Sequence, residues 1–292
     1  MSVPFFKMTG AGNDFLVIDD RKGIVTGTSR ERWSDLCARR TGVGADGVLL
    51  LRNSEKYDFQ MVFLNADGRE GQMCGNGARC LAWAAAVENG LGTVLTVDTP
   101  KPEGWNLPEG IGAKQIWSVT FEAADGIHDA FGWERMVLMT IGSSSVQKKL
   151  SLDTSEGVVT GTLLNVGVPH FVSLIDDPGT VPLERIGLWL RSHEQLGSEG
   201  ANVNFVAKEA DKDGSFRIRT FERGVEAETL SCGTGAAAAA LVLNREGAES
   251  PVSVHARGGI LKVYFSSGDS GIDDVWLEGP VRVIYRGVLA DI

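Results

Sequence analysis

Short runs of Val, Ile, Leu and Phe, broken at intervals by Gly and Asp, dominate the chain. In the first half FLVID (15–19), GVLLL (47–51) and FQMVFLN (59–65) have the length and the β-branched and aromatic content of strands. GTLLNV (161–166), FVSLI (171–175), NVNFVA (202–207) and SFRIRTF (215–221) predict strands in the second half. The pattern changes twice, at GARCLAWAAAVENG (77–90) and GAAAAALVLNREG (235–247). These Ala-rich stretches of about three turns predict helices that stop near Gly90 and Gly247. A helix with so little polar surface is buried, so each is expected to be wrapped by a sheet. The Pro- and Gly-rich segment TPKPEGWNLPEGIGAKQ (99–115) reads as an extended surface loop.

The two helices belong to a longer repeat. Shifting the chain on itself by 158 residues pairs Cys74 with Cys232, Gly75 with Gly233, Gly77 with Gly235, Ala78 with Ala236, Glu70 with Glu228 and Phe63 with Phe221. At shifts of 156 to 157, GADGVLLL (44–51) matches GANVNFVA (200–207) and GNDFLVIDD (12–20) matches VPHFVSLIDD (168–177). Three collinear blocks at nearly one offset imply a duplicated unit and hence two similar domains. A length of 292 residues agrees with two domains of roughly 150 residues each.

Composition narrows the function. With 43% apolar and 23% charged residues the chain is an ordinary globular protein. The opening MSVPFFKMTGAGNDF has no basic stretch ahead of an apolar one, which argues against a secretory signal. The longest uncharged apolar run, 236–243, falls far short of the roughly 20 residues a bilayer requires. A cytoplasmic location follows as the expectation, with no membrane partner. A net charge of −10 repels polyanions, so nucleic acid is not an expected partner. Cys37, Cys74, Cys80 and Cys232 form no CxxC pair, and His128, His170, His193 and His255 are scattered, so neither a disulfide framework nor a metal site is indicated. GVGADG (42–47) fits a dinucleotide-binding pattern but precedes a strand instead of opening a helix, which argues against that cofactor.

The chemistry lies in the phrases CGNGA and CGTGA that open the two helices. A cysteine at a helix N-terminus faces unpaired N–H groups and the positive end of the dipole, which favour thiolate over thiol. The Gly-x-Gly that follows lets a ligand approach the backbone, and its N–H groups suit a carboxylate. If the repeats meet about a pseudo-twofold axis, a small acid held there has a sulfur on either side of its α-carbon. Inversion of a stereocentre needs that arrangement: a thiolate removes the proton, and a thiol returns one from the other face. The N–H groups around the carboxylate would stabilise the carbanion. Cys37 and Cys80 have no counterpart in the other repeat and read as packing residues. Taken alone, His170 reads as a satisfied core histidine, and Glu222 and Arg223 as a solvated pair at a strand end.

The signatures KMTGAGNDFLVID, FLNADGREGQMCGNGARC, ANVNF and FERGVEAETLSCGTGAA, in this order over almost the whole chain, resemble those of the diaminopimelate epimerase family. The resemblance implies an isomerase that interconverts LL- and meso-2,6-diaminopimelate by a two-thiol mechanism, without cofactor, in lysine and peptidoglycan precursor biosynthesis. It implies an α+β fold of two pseudo-symmetric domains, each a mostly antiparallel sheet around a central helix. These run over 1–142 and 143–279, with 280–292 returning to the first. By motif, Cys74 and Cys232 resemble the acid/base thiols, with His170 and Glu222 beside them to tune protonation. The N–H groups of Gly75, Asn76, Gly233 and Thr234 would hold the carboxylate at the reacting centre. Asn13, Asn65, Asn202, Glu222 and Arg223 match the residues that hold the rest of the substrate, Arg223 being suited to a bidentate grip on a distal carboxylate. Family members are often homodimers.

The chain departs from the commonest pattern at Val168, where an Asn is usual, at Gly47, where a Gln is usual, and in ERGVEAET, which is one residue longer than the frequent form. The lost amides weaken the case for diaminopimelate and leave the thiol chemistry untouched. A related cofactor-independent racemase of another amino acid is one alternative, and a non-catalytic protein that binds a small acid or works by thiol redox chemistry is another.

Overall fold

In the computed structural model the described residues are 2–96, 99–142, 144–209, 214–268, 271–290 and 292. The expected start of the second repeat, residue 143, lies outside them. Spatial proximity divides the chain into two compact units: Met1–Lys101 with Asn106–Thr140 and Gly279–Ile292, and Ile141–Glu278 with Pro102–Trp105.

The first unit contains β1 (Val3–Gly10), β2 (Asn13–Asp19), α1 (Arg30–Cys37), β3 (Gly47–Arg52), β4 (Phe59–Asn65), α2 (Gly75–Trp83), β5 (Thr93–Val94), β6 (Trp117–Ala123), β7 (Gly126–Trp133) and β8 (Met136–Thr140). In the second are β9 (Ser144–Thr154), β10 (Gly157–Val166), β11 (Val168–Leu174), α3 (Leu183–Arg191), β12 (Asn202–Lys208), β13 (Ser215–Glu222), β14 (Ala227–Thr229), α4 (Gly233–Arg245), β15 (Val252–Ala256) and β16 (Gly259–Gly268). The long β17 (Gly271–Leu289) follows, its first residues belonging to the second unit and its last to the first.

Both units use one pairing scheme. In the first, β1–β2 is antiparallel, β2–β3 parallel, β3–β4 antiparallel, β4–β6 parallel, and β6–β7 and β7–β8 antiparallel. In the second, β10–β11, β11–β12, β12–β13, β13–β15, β15–β16 and β16–β17 repeat that order of directions. The C-terminal half of β17 pairs with β1, and β9 takes the same place beside β10. Registers repeat as well: Phe15 faces Gly47 and Val48 faces Leu64, while 156 residues later Phe171 faces Val203 and Asn204 faces Thr220. Each unit is thus a mostly antiparallel sheet with two parallel steps, the α+β architecture expected from the sequence.

Packing explains why the strand runs are continuous. In β2 and β3, Phe15, Val17, Leu49 and Leu51 pack in one cluster with Ala78, Leu81 and Ala82 of α2, while Leu16, Ile18, Val48 and Leu50 pack in another with Trp33 and Leu36 of α1. A strand covered on both faces loses the polar alternation of a half-solvated one. The second unit does the same with α3, whose Leu183, Ile186 and Leu190 join Phe171, Val203 and Phe221.

The central helices lie inside these sheets. α2 packs against β1, β2, β3, β4, β7 and β8, and α4 against β10, β11, β12, β13, β15 and β16. Every residue of α4 from Gly235 to Leu243 is buried, and from Gly235 to Ala240 no side chain is larger than a methyl group, which lets the strands approach closely. The glycine stops are present, with Gly90 and Gly247 in the left-handed region at φ 66° and 93°. Before Gly90 the helix widens into a π-turn over Ala84–Glu88, where the Asn89 N–H and side-chain amide both donate to the Ala84 carbonyl at 3.0 Å.

Residues 99–112 form neither strand nor helix, and a 3₁₀ turn at Ala113–Gln115 ends the loop. β1, β5, β6, β7, β8, β9, β14, β15, β16, β17, α1 and α3 were not marked by the sequence pattern.

Gly10 sets how near β1 lies to α2. A Cβ there would stand 2.6 Å from the Asn76 carbonyl oxygen and 3.1 Å from Cys80 Sγ. Gly10→Ala should therefore force strand and helix apart and cost about 1–3 kcal/mol. Urea unfolding would show this against Gly112→Ala in the surface loop, which should shift far less. Equal midpoints for the two variants would mean that the contact is not a tight one.

Candidate active site

Both motif cysteines are N-cap residues. Cys74 has φ −119°, ψ 105° ahead of α2, and Cys232 has φ −123°, ψ 116° ahead of α4. Their carbonyls accept the N–H of Ala78 at 2.8 Å and of Ala236 at 2.9 Å, so each side chain starts where the unpaired N–H groups of a first turn point. At Cys232 this is explicit: Gly235 N–H donates to Sγ at 3.4 Å and the Thr234 hydroxyl lies 3.5 Å away. Glycine is required at 235, because a Cβ would come within 3.3 Å of that sulfur and 2.6 Å of Asn204 Oδ1. N–H donation and the dipole both favour thiolate. By contrast, burial pushes Cys37 up to about 11 and Cys80 up to about 12, which fits packing roles for both.

In the first unit a polar chain leads away from Cys74. Asn76 Nδ2 donates to Asn13 Oδ1 at 2.7 Å, and Asn13 Nδ2 donates to Asp46 Oδ2 at 3.0 Å. Arg39 clamps Asp14 at 2.9 and 2.6 Å and Asp46 at 2.5 Å. The buried Lys7 pairs with Asp14 at 2.6 Å and donates to the Gly44 carbonyl. Burial alone would raise the Asp14 carboxyl, but the hydrogen bonds from Arg39 and Lys7 outweigh it and hold the group below its usual value. Asn13 and Asn76 are thus fixed from behind by charges. Asn65, at the end of β4, is exposed; its backbone N–H donates to the Arg69 carbonyl at 2.8 Å, and its side chain makes no hydrogen bond to the Asn13–Asn76 pair.

In the second unit His170 and Asn202 are register partners on the parallel strands β11 and β12. His170 is fully buried, with Asn204 Nδ2 3.2 Å from Nδ1 and Asn202 Nδ2 3.5 Å from Nε2. Asn204 accepts the Thr220 hydroxyl at 2.9 Å and donates to the Phe171 carbonyl at 3.2 Å. Asn202 Oδ1 accepts the Arg223 N–H at 2.8 Å. The Arg223 guanidinium donates to the Glu199 carbonyl at 3.3 Å. Glu222 is the last residue of β13. The longer loop after it turns at Glu226, φ 59°, whose carboxylate binds Arg191 at 2.6–2.9 Å and the Gly224 N–H at 2.9 Å.

The structure therefore gathers Asn13, Asn76 and the Cys74 helix start in one unit, and His170, Asn202, Arg223 and the Cys232 helix start in the other. Asn204, Asp14, Asp46, Arg39, Lys7 and Arg79 join these clusters without having been singled out in the sequence. The i, i+2 spacing of Asn202 and Asn204 was the available signal, since it puts both on one strand face. Among the described residues no group of three His, Cys, Asp or Glu is arranged to hold a metal. No helix is long and apolar enough to cross a membrane.

Burial, helped by the Arg223 charge, lowers the His170 imidazole from 6.5 to about 3. The unfolded chain takes up this proton near pH 6.5 and the folded one does not. The contribution to stability is thus complete above about 6.5 and lost as the pH falls toward 3. His170→Gln should flatten the fall in urea midpoint between pH 6.5 and 4 relative to wild type. Parallel slopes would show that His170 protonates freely in the fold.

A profile of the family described as diaminopimelate epimerase matches residues 5–104 and 162–282. The diaminopimelate epimerase of Aquifex aeolicus is 37% identical over 98% of this chain and 98% of its own. That of Chlorobaculum tepidum is 37% identical over 97% of this chain and 99% of its own. Among solved structures, a probable proline racemase of Agrobacterium radiobacter superposes with a TM-score of 0.71 at 16% identity, covering 99% of this chain and 93% of its own. A hydroxyproline epimerase of Agrobacterium vitis superposes with a TM-score of 0.68 at 17% identity with the same coverage, and these two likenesses speak to the fold alone. Matched by the profile across both cysteine motifs and by relatives over nearly its full length, this chain belongs to the diaminopimelate epimerase family.

Proposed function

We propose that this protein is an isomerase that interconverts LL- and meso-2,6-diaminopimelate, in lysine and peptidoglycan precursor biosynthesis, with Cys74 and Cys232 as its acid/base pair. The observation that carries the reading is the duplicated N-cap cysteine, each sulfur at the first turn of a helix buried in its own sheet. One thiolate takes the α-proton: the C–H bond breaks, an S–H bond forms, and the electron pair stays on the α-carbon and spreads into the carboxylate. The other thiol then protonates the opposite face and becomes the thiolate. The N–H groups of Gly75, Asn76, Gly233 and Thr234 hold that carboxylate where the charge grows.

His170, neutral at physiological pH, and Glu222 tune the proton transfers. Asn13, Asn65, Asn202, Glu222 and Arg223 hold the remainder of the substrate, the guanidinium of Arg223 gripping the distal carboxylate. No cofactor enters this scheme. The reading also makes the protein cytoplasmic, as its composition suggests, and a homodimer, as the family resemblance implies. Val168 and Gly47, standing where amides are usual, favour one second reading, a racemase of a different amino acid with the same thiol chemistry.

Proton NMR of the freshly reduced protein in D2O, with LL-diaminopimelate beside histidine, proline and lysine, tests the proposal. Loss of the α-proton signal with growth of the meso isomer is expected for diaminopimelate alone. Cys74→Ala and Cys232→Ala should abolish the conversion, and Arg223→Met should lower kcat/KM roughly a hundredfold. Exchange of another amino acid and none of diaminopimelate would select the racemase reading, and exchange of none would leave a small-acid-binding protein.

A further inference from the structure

The first central helix carries a buried charge that the second lacks. Arg79, five residues after Cys74, is fully buried, whereas Ala237 stands five residues after Cys232. A guanidinium removed from water is costly unless acceptors or an anion receive it. Arg79 has one acceptor, Asn76 Oδ1 at 2.5 Å, and its buried Nε and Nη1 have no hydrogen-bond partner among the described residues.

Its counter-charge is narrowed by the neighbours. Burial lowers Arg79 to about 10, and the groups that pull it back are two sulfurs, Cys80 and then Cys74. It is a cation at neutral pH. Cys80, fully buried and pushed up to about 12, is then a neutral thiol. Ionisable groups on the strands packed against α2 have partners of their own. On β1 and β2, Lys7 is held by Asp14, Asp14 also by Arg39, and Asp19 by Arg21. On β3, Arg52 pairs with Asp20. On β7, His128 meets Asp125 and the Thr140 carbonyl, and Asp129 meets the Thr120 hydroxyl. β4 and β8 carry none. In the π-turn Glu88 pairs with Arg286. That leaves the half-buried Cys74 as the group placed to balance Arg79.

We propose that Arg79 is a positioning residue which holds Cys74 as the thiolate of the resting protein and fixes Asn76 for the carboxylate, leaving Cys232 as the resting thiol. This rests on the two-thiol reading above and deepens it by naming the sulfur that starts with the charge. In the second repeat Gly235 N–H also reaches its sulfur, but His170 is neutral, Arg223 is engaged by Glu199, and Ala237 stands where the cation is in the first. The buried guanidinium five residues after the sulfur is present in the first repeat alone.

Alkylation tests this without substrate. Reduced full-length protein is treated with iodoacetamide from pH 5 to 10, and the rates at Cys74 and Cys232 are followed separately by peptide mass spectrometry. In the wild type Cys74 should react first as the pH rises. In Arg79→Met its rate at pH 7 should fall about tenfold or more and recover at high pH, with Cys232 unchanged; Arg79→Lys should restore most of it. An unchanged Cys74 profile in Arg79→Met, or Cys232 reacting first in the wild type, would overturn the proposal. If Arg79→Met does not fold, the wild-type order and the Arg79→Lys profile still decide. Because the readout needs no turnover, a protein inactive on diaminopimelate but with the expected alkylation order would fail the functional reading and keep this one.

Discussion

A helix enclosed by strands has to be slim, and the rest of this protein follows from that restriction. Gly and Ala fill α4 from Gly235 to Ala240, and Ala78, Ala82 and Ala85 face the strands around α2. The same residues let the first turn come close to whatever stands at its end, because no side chain shields the N–H groups. Those groups are cut off from bulk water and need an acceptor. Sulfur is soft and poorly hydrated, and a thiolate at this position accepts them while gaining from the helix dipole. The geometry that packs the helix is therefore also the geometry that favours a thiolate at its N-cap.

The parallel steps supply the second layer of positioning. β2–β3 and β11–β12 each bury both faces, and polar residues on them are forced into defined partnerships. Asn204 is an example: its amide meets His170, a backbone carbonyl and the Thr220 hydroxyl, and no water is needed to satisfy it. Asn13 is braced by Asp46, which Arg39 holds in turn. Residues proposed to touch substrate are thus held by residues that do not, and a substitution in this outer set would act through orientation.

Much of this was legible in the sequence, for physical reasons. Continuous Val, Ile and Leu runs mark strands buried on both faces, Ala-rich runs after Cys-Gly mark enclosed helices, and the repeat offset of 156 reappears as identical registers. Cys74 and Cys232 could be singled out because duplication made one chance motif into two. The polar brace was not legible. In one dimension Lys7, Asp14, Asp46 and Arg39 look like solvated strand-end charges, and only the fold shows that Lys7 is buried against Asp14. Arg79 was hidden in the same way, since a single charge in an Ala-rich helix does not show in one dimension whether it meets water or a buried partner. α2 has no wet side at that turn.

Duplication leaves the proposed chemistry with a difficulty that the buried charges resolve. Two equivalent sulfurs in equivalent surroundings would share a single ionisation, with the charge resting on either one equally, so nothing would fix which of them starts as the base. The repeats share their strand registers and N-cap conformations, so the backbone does not separate the two sulfurs. What separates them lies one layer further in: an arginine bonded to Asn76 in the first unit, and a neutral histidine held by two asparagines in the second. The backbone of the repeats gives the two sulfurs the same N-cap position, and in the proposed scheme the divergence of the residues behind them decides which one starts as the thiolate.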